Sequence, residues 1–106
     1  MGSVERVVLD QLKALIGQRL AVHKVILFGS RARGDADPES DVDVVVILEG
    51  SADTTAREFV SECAWQAGFG HGLVVVPVAF GREEWESGPE RHSLLVQAVK
   101  REGVPV

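Results

Sequence analysis

A single cysteine, Cys63, excludes any internal disulfide and points to a reducing compartment, the cytoplasm being the expected location. Cys63 lies among Phe59, Val60, Ala64 and Ala67 at helical spacing, the setting of a small buried apolar residue rather than a nucleophile. Basic residues are scarce: 11 Lys and Arg against 16 Asp and Glu give a net charge of -5, with no clustered cations. That balance argues against sequence-independent binding to nucleic acid and against an anionic membrane surface. No apolar run approaches the ~20 residues that span a bilayer, and Glu5, Arg6 and Asp10 interrupt the only N-terminal stretch that could resemble a secretory signal. Met1-Gly2-Ser3 has the look of a myristoylation start, but Arg6 stands where that motif wants Ser or Thr. The three histidines, His23, His71 and His92, make no metal-ligand spacing with one another or with Cys63. Repeats, linkers and low-complexity tracts are absent.

What is present suits one soluble domain over residues 1–106, long enough to bury a core without staples, with 45% hydrophobic and 25% charged residues. Periodicity predicts a first helix over Val4–Gln18, capped by Ser3, with Val4, Val8, Leu12 and Leu15 on its inner face. An apolar strand over Lys24–Phe28 follows, then a Gly-Ser turn, a polar loop over Asp35–Ser40 and a strand over Asp41–Leu48. Thr55 and Glu58 form a capping box for a helix reaching Ala67, where Gly68 and Gly70 stop it. The third strand, Leu73–Phe80, carries Pro77, which marks an edge or a bulge. Pro89 opens a last helix with Leu95, Val96 and Val99 facing inward and Gly103 ending it. Trp65 and Trp85 are expected as core or interface anchors. This order gives an α/β layer structure, a small mixed sheet flanked by helices.

The chemistry is concentrated in Gly29-Ser30-Arg31-Ala32-Arg33-Gly34 and Ser40-Asp41-Val42-Asp43. Residues two apart on a strand share a face, so Asp41 and Asp43 project together, roughly 6 to 7 Å apart along the chain. Two converging carboxylates disfavour joint ionisation unless a cation lies between them. Mg²⁺ suits such a place, because it takes one or two protein carboxylates and completes its shell with water and substrate phosphates. Gly29 permits a sharp exit from the preceding strand, Ser30 is expected to cap a short helix, and the amides there suit a phosphate. Arg31 and Arg33 are read either as phosphate contacts or as solvated turn charges. Gly29 to Gly34 has the outline of a P-loop, but Asp35 occupies the place of its lysine. Arg33-Gly34-Asp35 spells an adhesion tripeptide with no setting in an intracellular chain.

These residues resemble the signature of the DNA polymerase β-type nucleotidyltransferase superfamily, and most nearly its small prokaryotic members, the minimal nucleotidyltransferases. The resemblance rests on Phe28 to Asp35 and Ser40 to Val44. It implies a mixed sheet flanked by helices, ATP or another nucleoside triphosphate as donor, and Mg²⁺ held by strand carboxylates. Carried over position by position, Gly29 and Ser30 take the phosphate-contacting role, with Arg33 beside them. Asp41 and Asp43 become the metal ligands and catalytic carboxylates. The resemblance further implies transfer of AMP to an acceptor hydroxyl on a partner protein, a small helical HEPN-type protein in a toxin-antitoxin pair, with this chain as the antitoxin.

The chain departs from that pattern in one respect. The family's third carboxylate comes from a later strand, yet Leu73–Phe80 contains no acid. Glu83 and Glu84 lie beyond Gly81 and do not match the motif, which leaves them as displaced candidates only. A competing reading follows: the same fold retained as a binding subunit or antitoxin with impaired catalysis.

Overall fold

The computed structural model describes residues 2–35 and 37–106. Met1 of the myristoylation-like start and Ala36 of the expected polar loop lie outside the described residues. Helix α1 spans Ser3–Gly17, strand β1 Val22–Phe28, the short helix α2 Ser30–Arg33 and strand β2 Val42–Leu48. Helix α3 follows over Thr54–Phe69, β3 over Val75–Gly81 and α4 over Arg82–Ser87. A 3₁₀ turn at Pro89–His92, helix α5 at Leu94–Glu102 and a two-residue strand β4 at Val104–Pro105 complete the order.

The four strands form one mixed sheet in the order β3-β2-β1-β4. β1 runs antiparallel to both β2 and β4, whereas β2 and β3 are parallel and joined through α3. Alternation along β2 sorts the core into two layers. Val42, Val44, Val46 and Leu48 face α1 and α3 together with Val25, Leu27 and Val75. Val45 and Ile47 face the other way, packing with Ile26, Phe80, Trp85 of α4, and Val96 and Val99 of α5. Both faces of β2 are therefore sequestered along most of its length, which explains a nearly unbroken β-branched run rather than alternation with polar residues. Each fully buried valine contributes about 1.5 to 3 kcal/mol relative to an exposed one.

Several local expectations are corrected. The buried stripe of α1 is Val8, Leu9, Leu12 and Ile16; Val4 is exposed at the open first turn, and Leu15 only borders the core. Ser3 lies inside α1, whose cap is Gly2 without a side-chain bond. The cap of α3 is Asp53, whose carboxylate accepts from the Ala56 amide at 2.8 Å, in place of a Thr55 and Glu58 box. Pro89 opens the 3₁₀ turn, and α5 begins only at Leu94, where the Ser93 hydroxyl accepts from the Val96 amide. Val96 and Val99 face inward as expected, while Leu95 stays exposed at the helix start. Trp85 is buried against Phe80, whereas Trp65 is exposed and pairs with Phe69. Cys63 is buried, and burial first, then the nearby Glu62, pushes its thiol above the usual range, as an inert core residue requires. Among the described residues no helix is long and apolar enough to cross a membrane.

Candidate active site

Antiparallel pairing of β1 with β2 sets Phe28 directly opposite Asp43, so the end of one strand meets the start of the other. Gly29 leaves β1 at φ 77°, a conformation that L side chains rarely adopt. A second constraint acts on the same residue: a Cβ built on Gly29 would stand 2.9 Å from Asp43 Oδ2. The glycine thus provides both the sharp exit and the space that the carboxylate fills. Ser30 then opens α2, and the amides of Ser30 and Arg31, at its first turn, have no intrahelical carbonyl to bond. Ser30 is the first helical residue rather than the cap, which is Gly29.

Asp41 falls just before β2, whose first residue is Val42. The Val42 amide bonds the Val74 carbonyl at 2.8 Å, which fixes Asp41 beside the start of β3. Asp43 is half-buried and Asp41 exposed, on the sheet face covered farther along by α4 and α5. The Asp43 carboxyl titrates above the ordinary range because burial disfavours its charge and Asp41 repels it. Asp41 is thus near enough to Asp43 for its charge to be felt there, although only Asp43 belongs to the strand itself.

A divalent ion fits this donor set. Asp41 and Asp43 offer hard oxygen donors, and a cation between them would relieve the repulsion that keeps Asp43 from ionising. The described residues hold no group of three or more His, Cys, Asp or Glu side chains arranged for a metal.

The register of β3 shows why. Val76 pairs with Asp43 and so projects from the same face, at the adjacent-strand position nearest that carboxylate. Val74 and Val76 are exposed valines at 56% and 38%, an apolar border where an acid would be tolerated. Glu83 and Glu84 lie on α4, beyond Gly81 at the opposite end of β3. Gly81 is five residue steps beyond Val76, roughly 16 Å of strand, so neither glutamate serves as a displaced third ligand.

Arg31 is not the solvated turn charge that one expectation gave it, and its guanidinium bonds to protein acceptors. It is 6% exposed, and its guanidinium donates to the Ser40 carbonyl (3.0 and 2.7 Å), the Pro38 carbonyl (2.9 Å) and Glu5 Oε1 of α1 (3.0 Å). Arg33 is exposed and leans toward Asp35 at 3.5 Å and Glu102 at 3.7 Å. Cavities of about 620, 420 and 470 Å³ are lined by other residues, at the far end of the sheet, along β3 and behind Arg31. The half-buried Asp43, the exposed Asp41 and the Gly-Ser turn lie on an open shelf, because α4 and α5 cover only part of that face.

A four-stranded mixed sheet with a glycine turn beside Asp43 at the start of β2, and Asp41 just before that strand, defines a nucleotidyltransferase-like protein. The family model described as nucleotidyltransferase domain matches residues 8–96, and the chain belongs to that family. A candidate protein adenylyltransferase of Methanocaldococcus jannaschii is 33% identical over 57 residues, 54% of this chain and 58% of that protein. The chain therefore aligns with less than two thirds of that relative's length. Among solved structures, a chain of a toxin-antitoxin complex with AMP-PNP superposes with a TM-score of 0.65 at 23% identity, covering 91% of this chain and 69% of the other. A chain from the MntA-HpeT toxin-antitoxin complex, in a form with two Asp-to-Glu substitutions, gives 0.62 at 20% identity over the same shares. These two establish a shared fold.

Proposed function

We propose that this chain binds ATP with Mg²⁺ at Asp41 and Asp43 beside the Gly29-Ser30 turn and transfers AMP to a hydroxyl of a partner protein. The observation that carries the reading is the Asp43 carboxylate standing where a Cβ on the positive-φ Gly29 would crowd it, with Asp41 on the same face. The chain's own residues act by placement. The backbone of Gly29 and Ser30 receives phosphate oxygens, while Asp41 and Asp43 would hold the cation that accompanies the nucleotide. Arg33 adds positive charge to the triphosphate, leaving ion pairs with Asp35 and Glu102 that are exposed and hence weak. A bound divalent ion supplies charge neutralisation on the transferring phosphoryl group.

In this reading the acceptor belongs to a partner, because Asp41 is exposed and the shelf beside it is open. A partner docking on that shelf would both present its hydroxyl and exclude water. The toxin-antitoxin complexes among the structural neighbours and the M. jannaschii relative, a candidate protein adenylyltransferase, support a protein acceptor. A small helical HEPN-type toxin is the acceptor this reading favours, with this chain as a cytoplasmic antitoxin.

Calorimetry tests the binding half. Asp41→Asn with Asp43→Asn is expected to abolish Mg²⁺-dependent ATP affinity, and unchanged affinity in the double variant would refute the site. Transfer of label from α-labelled ATP to a co-purified partner tests the catalytic half. The valine at position 76 favours a second reading, a nucleotide-binding antitoxin that neutralises its partner by contact alone. Absence of label transfer to every partner that binds would decide for it.

A further inference from the structure

The two halves of the site are joined by a loop of polar residues and Pro38, which by itself would leave the carboxylates poorly fixed relative to the turn. One buried side chain spans that loop from behind. Arg31 follows Ser30 directly in the chain, and two of its nitrogens donate to the carbonyl of Ser40, which directly precedes Asp41. A third bond reaches Pro38, and a fourth reaches Glu5, so the same guanidinium is anchored to α1. From these contacts we infer that Arg31 is a positioning residue, a brace that sets Asp41 and Asp43 against the Gly29-Ser30 turn without itself touching nucleotide. The inference rests on the nucleotide-binding reading above and deepens it.

The physical case is one of geometry. A guanidinium is planar, permanently charged and offers five donors in a fixed fork, so it can serve two carbonyls and a carboxylate at once. Lysine offers a compact charge on a flexible stem and cannot reach three separated acceptors in one plane. Burying the charge is tolerable because the Glu5 carboxylate, itself largely buried at 12% exposure, stands 3.0 Å away. A solvated turn charge would need none of these partners, and a phosphate ligand would have to give them up.

The test separates a brace from a phosphate contact and from a general loss of fold. ATP binding to the full chain is measured by calorimetry with Mg²⁺ and again with the metal removed by EDTA, for the wild type and for Arg31→Lys. Circular dichroism and thermal melting establish that the variant is folded. A brace lowers MgATP affinity about tenfold, the usual size of an outer-layer effect on a metal site, and leaves metal-free ATP affinity within about twofold. An equal loss under both conditions would mean that Arg31 meets phosphate itself, and no loss in a folded variant would mean that the loop needs no brace; either overturns the inference while leaving the site intact. If the wild type shows no Mg²⁺-dependent affinity, the underlying reading fails, and the inference with it. Should Arg31→Lys not fold, Glu5→Gln carries the same comparison: it removes the counter-charge and leaves the loop carbonyls bonded. A MgATP-specific drop of about threefold is expected there, and unchanged affinity overturns the brace.

Discussion

Asp43 is a residue that the fold holds at a cost. Its carboxyl binds a proton more tightly in the folded chain than in the unfolded one, through burial first and Asp41 second. The linkage then has a definite sign: between the ordinary carboxylate range and the raised folded value, the native state holds more protons, so stability falls as pH rises through that window. Without divalent cation at pH 7, Asp43→Asn should melt higher than the wild type, and below about pH 3, where both forms are neutral, the difference should vanish. A melting point equal to or below the wild type at pH 7 would contradict the strain. Gly29→Ala acts on the same point from the other side. It forces a Cβ into the space of Asp43 Oδ2 at a φ of 77°, and should lower the free energy of unfolding by about 1 to 3 kcal/mol in urea titrations. The sequence made Gly29, Asp41 and Asp43 legible because a turn glycine and a strand period of two are local signals. Arg31 was not legible. Its acceptors are backbone carbonyls of Pro38 and Ser40 and a carboxylate 26 residues upstream, and side-chain chemistry alone cannot distinguish a buried brace from a solvated cation.

Among the elements, β3 and α3 carry the sharpest expectations. Val76→Asp places a third carboxylate across from Asp43 at a position already 38% exposed, so the fold should tolerate it. Titration of the ATP-loaded variant with Mn²⁺ should then show a second bound ion where the wild type shows one, and an unchanged stoichiometry would mean that the position is badly aimed. Asp53→Ala removes the cap of α3 and should cost about 1 kcal/mol in chemical denaturation, whereas Thr55→Ala should cost almost nothing, since the Thr55 hydroxyl caps nothing. The type and order of α1, β1, β2, α3, β3 and the last helix could be read from hydrophobic period and glycine placement. The caps were read one or two residues off, because Asp53, Thr54 and Thr55 are all acceptable cap residues and only the backbone angle at Asp53 decides among them. Strand β4 escaped notice for a different reason: two residues have no period, and only pairing with Ile26 and Leu27 makes them a strand.

At the scale of the whole molecule, two helices cover one face of the sheet while α4 and α5 cover the other only in part. That asymmetry is what leaves Asp41, Asp43 and the Gly-Ser turn together in the open. Because nothing encloses the nucleotide, its binding should stabilise the chain only as far as mass action allows. At about a hundredfold excess over the dissociation constant, MgATP should add about 2.7 kcal/mol to the wild type and nothing to the Asp41→Asn, Asp43→Asn double variant, read as a shift in thermal midpoint. No sequence pattern announced the uneven covering, since it depends on how far α5 reaches across β1 rather than on the apolar content of either element.

Pro77 lies in the middle of β3, the outermost strand on its side. The carbonyl of Val74 points toward β2, so by alternation Val76 and Val78 do too, and the backbone of Pro77 faces outward. The rim therefore lacks one amide hydrogen at its centre, and a foreign strand zipping along it would lose a rung there. The valine-rich strand beside it is thus shielded behind a rim that another β-edge would pair with poorly, so Pro77→Val should make the protein more prone to edge-on self-association, read by light scattering.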